Sequence, residues 1–259
     1  MPPVVKNLLI LNGLLFLATL SFQTSIGIDL RDMLGLHYFE AEKFKIYQIV
    51  TYMFMHGDFT HIFFNMFAVW MFGSAIENVW GSRKFLIYYL LTGFGAALIH
   101  YITIYIDIAP VISMMEQLVE DPSAQAAISF TNSHNWGSYL DQFYYKDMYD
   151  RTLEYMNGSL QVLKVDPENT QALRDTSNFF ASYLEHFMNL PNVVGASGSL
   201  FGILLAFGMM FPNVRLFMIF IPIPIKAKYF VIGYGVMELV SAFQNNPGDN
   251  VAHFAHLGG

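Results

Sequence analysis

Runs of almost unbroken apolar residues recur along this 259-residue chain, and they restrict its fold more than any other feature does. A helix needs about 20 residues to cross roughly 30 Å of hydrocarbon. Such runs extend from about Val4 to Phe22, from His61 to Val79, from Phe85 to Ile106 and from Tyr229 to Phe243. Between the last two lies a shorter one, Gly195 to Phe211, which stops at Pro212-Asn213, a pair that turns the preceding backbone away from helix. A sixth run begins near Val251 and reaches Gly259, only about 14 Å of helix. The expected fold is an all-α membrane protein, a six-helix transmembrane bundle whose sixth helix is truncated. A polypeptide ending there is expected to be inactive or unstable.

Composition supports the lipid environment. Charged residues make up 13% of the chain, where a soluble domain has about 25%. Hydrophobic residues reach 54%, and the mean hydropathy is +0.40. No cysteine is present, which excludes disulfides, thiolate metal sites and thiol nucleophiles. A net charge of -7 and the lack of any basic tract interleaved with aromatics exclude nucleic acid as a partner. No cofactor or metal is expected, and nothing in the sequence sets the oligomeric state.

Lys6 before an apolar stretch is one element of a secretory signal, but no A-x-A cleavage pattern follows, so the first run is expected to stay as a helix. Basic residues in the short connections divide unequally. Lys6, Arg83, Lys84, Arg215, Lys226 and Lys228 fall on one side, and Arg31, Lys43 and Lys45 on the other. The positive-inside rule then makes the amino terminus cytoplasmic, and the segments 23–60 and 107–190 extracytoplasmic.

The segment 107–190 is rich in acidic residues and reads as a helical insertion between the third and fourth spans of a single membrane domain covering 1–259. Asp166-Pro167 looks like a helix start for the apolar periodicity that runs to Leu184. A solvated lid or spacer is the expected role, with protein binding as the alternative. The sequon at Asn157-Gly158-Ser159 reads as chance.

Three short motifs carry chemistry. Gly195-Ala196-Ser197-Gly198 opens the fourth run. A serine between glycines at a helix start allows close backbone approach and aims free N–H groups at whatever sits on the hydroxyl, which suits an oxyanion. Helix packing alone is the alternative, because Gly198, Gly202 and Ala206 form a small-residue stripe. From Ser197 to Phe211 the helix covers about 22 Å, so Ser197 lies below the outer surface and needs a polar cavity to receive water.

Ala255-His256-Leu257-Gly258-Gly259 opens the sixth run. Histidine is costly in a membrane segment and reads there as functional. Its neutral imidazole can take the proton of Ser197. His253 is the rival base on the same helical face; His256 is preferred because it lies deeper and is followed by small residues. In His61-Ile62-Phe63-Phe64-Asn65, a spacing of four puts two polar side chains on one face, where they can meet negative charge on a carbonyl oxygen. They could equally satisfy each other or a loop carbonyl. No carboxylate is evidently placed to orient His256. Glu77 is expected to cap or bridge near the Gly81-Ser82-Arg83-Lys84 turn, and Glu238, the only acid in the fifth run, to be structural. A dyad is therefore expected, not a triad.

With these residues assembled, the chain resembles the rhomboid family of intramembrane proteases along nearly its whole length apart from the insertion. The family's H-x-x-x-N motif corresponds to His61 and Asn65, its G-x-S-G to Gly195, Ser197 and Gly198, and its A-H-x-x-G to Ala255, His256 and Gly259. The resemblance implies a six-helix core, a Ser197/His256 dyad, oxyanion stabilisation by His61, Asn65, Gly195 and Gly198, and cleavage of transmembrane protein substrates within the lipid bilayer. Phe201 stands where many members have a tyrosine under the histidine, keeping the ring and losing the hydroxyl. Tyr47-Gln48 stands where an outer loop often carries Trp-Arg.

The rival readings are weaker. A catalytically inactive rhomboid-like module that binds membrane proteins has no chemical need for both Ser197 and His256. A metalloprotease built on His56, His61, His253 or His256 lacks H-E-x-x-H and a suitable acid. A soluble α/β-hydrolase needs glycine where Ser199 stands. A transporter is the remaining class.

Overall fold

The computed structural model describes residues 1–218, 221–244 and 253–259. In chain order its main helices are α1 (Pro3–Ile26), α2 (Phe59–Ala68), a π-helical turn (Val69–Gly73), α3 (Ser74–Trp80), α4 (Ser82–Glu120), α5 (Ala124–Ser133), α6 (Lys146–Asn157), α7 (Ser159–Val165), α8 (Thr170–Met188), α9 (Ser197–Met210), α10 (Ala227–Gln244) and α11 (His253–Gly258). Two short antiparallel pairs accompany them: β1 (Leu36–His37) with β2 (Asn192–Val193), and β3 (Arg215–Met218) with β4 (Ile221–Lys226). Contacts divide the chain into two compact units, one of residues 1–37, 43–103 and 192–259, the other of 38–42 and 104–191.

The first unit is a helical membrane bundle. Its polarity is the reverse of a soluble bundle. On α1 the buried positions include Asn12 and Thr19, while Leu11, Leu14, Leu17 and Leu20 are exposed. The two polar side chains bond back to the helix, Asn12 Nδ2 to the Leu8 carbonyl at 2.7 Å and Thr19 Oγ1 to that of Leu15 at 2.8 Å. Water would not tolerate so much exposed leucine, whereas acyl chains do. Among the described residues, α1, the segment Phe59–Trp80 and α4 are long and apolar enough to cross a membrane. Helix α9 is apolar but shorter. Helix α10, expected as the fifth span, is not in that set among the described residues. The sixth run is seen from His253; its expected start near Val251 lies outside the described residues.

Helix α9 is the centre of this unit, with Gly198, Leu200, Ile203, Leu204, Ala206 and Phe207 all buried. Ser199 is buried too, and its hydroxyl donates to the Tyr89 carbonyl at 2.8 Å. Tyr88 Oη donates to the Gly202 carbonyl at 2.8 Å, a second tie from α4 to α9. Glu77 does more than bridge its own turn. It accepts the Ser82 hydroxyl at 2.7 Å, and also the amides of Val4 and Val5 at 2.9 and 2.8 Å. It thus satisfies two donors that the start of α1 leaves without helical partners. In the loop before α2, Tyr47 is exposed, whereas the buried Gln48 accepts the Lys45 amide at 3.1 Å and donates to the Lys43 and Met33 carbonyls at 3.0 and 3.2 Å.

The second unit is helical and packs its own aromatic core. Tyr183, Phe180 and Phe187 are buried, and Tyr155 stacks on Phe179 with centroids 4.2 Å apart. Two expected boundaries shift. The third run does not stop near Ile106; α4 continues through Pro110 to Glu120. Its apolar face at Ile108, Val111, Ile112, Met115 and Leu118 recurs at helical spacing and packs into this core. Asp166-Pro167 does not start α8 either. That helix begins at Thr170, where the Asn169 side chain accepts the Ala172 amide at 3.0 Å, a stronger start signal than the Pro dipeptide in the preceding loop.

Candidate active site

Ser197 is the first residue of α9, and His256 lies on α11; Ser197 Oγ and His256 Nε2 are 2.8 Å apart. Close packing of small residues makes this approach possible. A Cβ on Gly259 would stand 1.8 Å from the Gly198 carbonyl oxygen, one on Gly258 would stand 2.7 Å from Ile99 Cβ, and one on Gly198 would stand 2.3 Å from Ala96 Cβ. The expected tight seating of the sixth helix against the glycine face of α9 is present. Phe201, one turn along α9 from Ser197, stacks on the His256 ring at 4.5 Å and 10°. Tyr234 stacks on the other side of Phe201 at 4.9 Å, so the column of rings continues into α10.

Gly195 has a φ of +133°, where a side chain is strained, and a Cβ there would come within 2.8 Å of His61 Nε2. Its amide donates to the Tyr52 carbonyl at 2.9 Å. Gly195 therefore shapes the site by conformation and close approach, and its N–H is not free for an oxyanion as the sequence reading had it. Gly198 lies in the first turn of α9, where amides have no intrahelical carbonyl to meet.

His61 opens α2, its amide capped by Asp58 Oδ1 at 2.9 Å. The Gly57 amide donates to His61 Nδ1 at 3.4 Å, which leaves the ring proton on Nε2, the nitrogen that faces Gly195. His56 packs edge-on against the His61 ring at 5.0 Å. Burial, with His61 adjoining, drives His56 down to about 3, so it is neutral. Asn65 is buried, and among the described residues its Nδ2 has no hydrogen-bond partner. It lines a cavity of about 330 Å³ with Phe64, Met71, Leu200, Phe230 and Tyr234. The structure thus brings Ser197, His256, His61 and Gly195 to one locus and leaves Asn65 a free donor facing a cavity.

The expectation that no acid attends His256 is corrected here. Glu238 Oε2 stands 3.0 Å from His256 Nδ1 and 2.6 Å from His253 Nδ1. Glu238 is buried on α10 while its neighbours Met237 and Leu239 are exposed, so the helix turns its only acid inward. His253, the rival base, faces this carboxylate. The available signal was two histidines at i, i+3 together with a lone acid on an otherwise apolar helix; which face of α10 is inward is a packing outcome. Glu238, His253 and His256 offer one ligand atom each within 4.8 Å of one another, the group among the described residues that could hold a divalent ion. Those atoms are already paired with one another by hydrogen bonds.

Comparison with known proteins places this geometry in context. A family model described as Rhomboid domain matches residues 43–107 and 170–259. The chain is 30% identical over 90 residues to "Rhomboid-like protein 11, chloroplastic" of Arabidopsis thaliana, covering 31% of each chain. It is 27% identical over 101 residues to "Putative rhomboid protease YdcA" of Bacillus subtilis (strain 168), covering 39% of this chain and 50% of that one. These alignments span half or less of the curated relatives. No solved structure matches.

Proposed function

Because the chain belongs to the rhomboid family, we propose that it is an intramembrane serine protease that hydrolyses peptide bonds of transmembrane proteins, with Ser197 as nucleophile and His256 as general base. The observation that carries this reading is the 2.8 Å approach of His256 Nε2 to Ser197 Oγ at the start of a buried helix. As Ser197 Oγ attacks the scissile carbonyl carbon, Nε2 takes its proton and later returns it to the leaving amine. Water then hydrolyses the acyl-serine, His256 again acting as base.

The developing oxyanion meets neutral donors: His61 Nε2–H, Asn65 Nδ2–H and the first-turn amides of α9 that include Gly198. Phe201 holds the imidazole plane by stacking. The whole chain forms one rhomboid membrane domain interrupted by an extracytoplasmic insertion at 107–190, with a cytoplasmic amino terminus and a site opening to the other side. A catalytically inactive, membrane-protein-binding role is the second reading, favoured only by the low identity to the matched relatives.

Fluorophosphonate labelling of the detergent-solubilised protein, followed by mass spectrometry, tests the proposal. Modification at Ser197 supports it. Labelling that survives Ser197→Ala, or absence of both labelling and cleavage in folded protein, rejects it.

A further inference from the structure

We infer that Glu238 is a positioning residue for His256, which makes the site a Ser-His-Glu relay in place of a simple pair; this rests on the serine protease reading. A carboxylate on an apolar helix is costly, and it is retained only where partners satisfy it. Glu238 has two, since both His253 Nδ1 and His256 Nδ1 meet the same oxygen, Oε2, at 2.6 and 3.0 Å. The spacing of three along α11 places both imidazole edges toward one acid, so His253 anchors the carboxylate while His256 uses it.

The geometry determines the tautomer. With the proton on Nδ1 donated to Glu238, the Nε2 lone pair points at Ser197 Oγ, 2.8 Å away, which is the form a base requires. The opposite tautomer would put N–H against the hydroxyl and could not accept its proton. When Nε2 takes the serine proton, the imidazolium forms beside the Glu238 carboxylate in a site of low dielectric, where the opposite charge stabilises it. No net atom or charge enters: one proton moves from Oγ to Nε2 and onward to the leaving amine, and Glu238 stays ionised throughout. The ring is held on two sides, by Glu238 at its Nδ1 edge and by Phe201 on its face at 4.5 Å.

The experiment uses the purified full-length protein in detergent and a transmembrane reporter peptide, comparing wild type with Glu238→Gln, Glu238→Asp, His253→Ala and Ser197→Ala. Glutamine can donate to Nδ1 and so hold the wrong tautomer. Its kcat is expected to fall roughly 10²- to 10⁴-fold, with KM nearly unchanged. Aspartate, which keeps the charge, recovers part of kcat, and His253→Ala, which removes one of the two ties on the carboxylate, lowers kcat less than Glu238→Gln does. Near-normal kcat in folded Glu238→Gln overturns the inference. Should Glu238→Gln fail to fold, the ¹⁵N chemical shifts of His256 in the unsubstituted protein decide: a protonated Nδ1 supports the relay, and a protonated Nε2 overturns it. Cleavage by Ser197→Ala instead removes the serine protease reading itself, while the ¹⁵N result still reports on Glu238.

Discussion

Gly259 and Gly198 approach so closely that a methyl group on Gly259 would sit 1.8 Å from the Gly198 carbonyl oxygen. That obstacle is backbone and cannot swing aside. Gly259→Ala is therefore expected to push α11 off α9, carrying His256 away from Ser197, and to cost more than tenfold in kcat together with a lower thermal midpoint. Reporter cleavage and differential scanning fluorimetry on the same detergent sample check both. Unchanged turnover would mean that the helix contact is not what seats the histidine.

Two serines of α9 separate chemistry from packing. Ser197 is half-buried and faces His256, whereas Ser199 is buried and bonded to Tyr89. Ser197→Ala should abolish cleavage and leave stability intact. Ser199→Ala should keep cleavage and lose about 1 kcal/mol of stability, the net worth of a buried hydrogen bond. Urea melts alongside a turnover assay distinguish them, and the reverse pattern would move the nucleophile.

Asn65 carries a buried Nδ2 with no partner among the described residues, so the folded state draws little from it. Asn65→Ala should keep the melting temperature and lose roughly 10²- to 10³-fold in kcat, the usual effect of deleting one oxyanion donor. A stability loss with normal turnover in the folded fraction would make Asn65 a structural residue instead.

In the second unit His134 meets Tyr183 Oη at 2.7 Å, and burial lowers its pKa from 6.5 to about 4. Between those values the unfolded segment binds a proton that the folded one refuses, so stability falls as pH drops from 6.5 toward 4 and is fully present above 6.5. Hydrogen exchange of peptides from α5 and α8, corrected for intrinsic rates, should show protection declining through that window. His134→Gln should flatten the decline. An equally steep loss in the variant would assign it to the carboxylates.

The membrane class and the apolar helices were legible in the linear order, because lipid imposes a length and a composition on each span; Ser197, His256, His61 and Asn65 stood out there only as polar exceptions in apolar runs. The course of α4 past Ile106 was less legible. A change from uniform apolarity to a one-sided stripe marks a helix that enters a different core, not its end. Tertiary structure alone decided three matters. It turned Glu238 inward to His256, since the rotation of α10 is set by what packs against it. It occupied the Gly195 amide with the Tyr52 carbonyl, a pairing of residues far apart in sequence. It also committed Ser199 to Tyr89 and left Ser197 to the histidine, because two hydroxyls at i and i+2 point to different sides of a helix and only the neighbouring helices determine which side is the site.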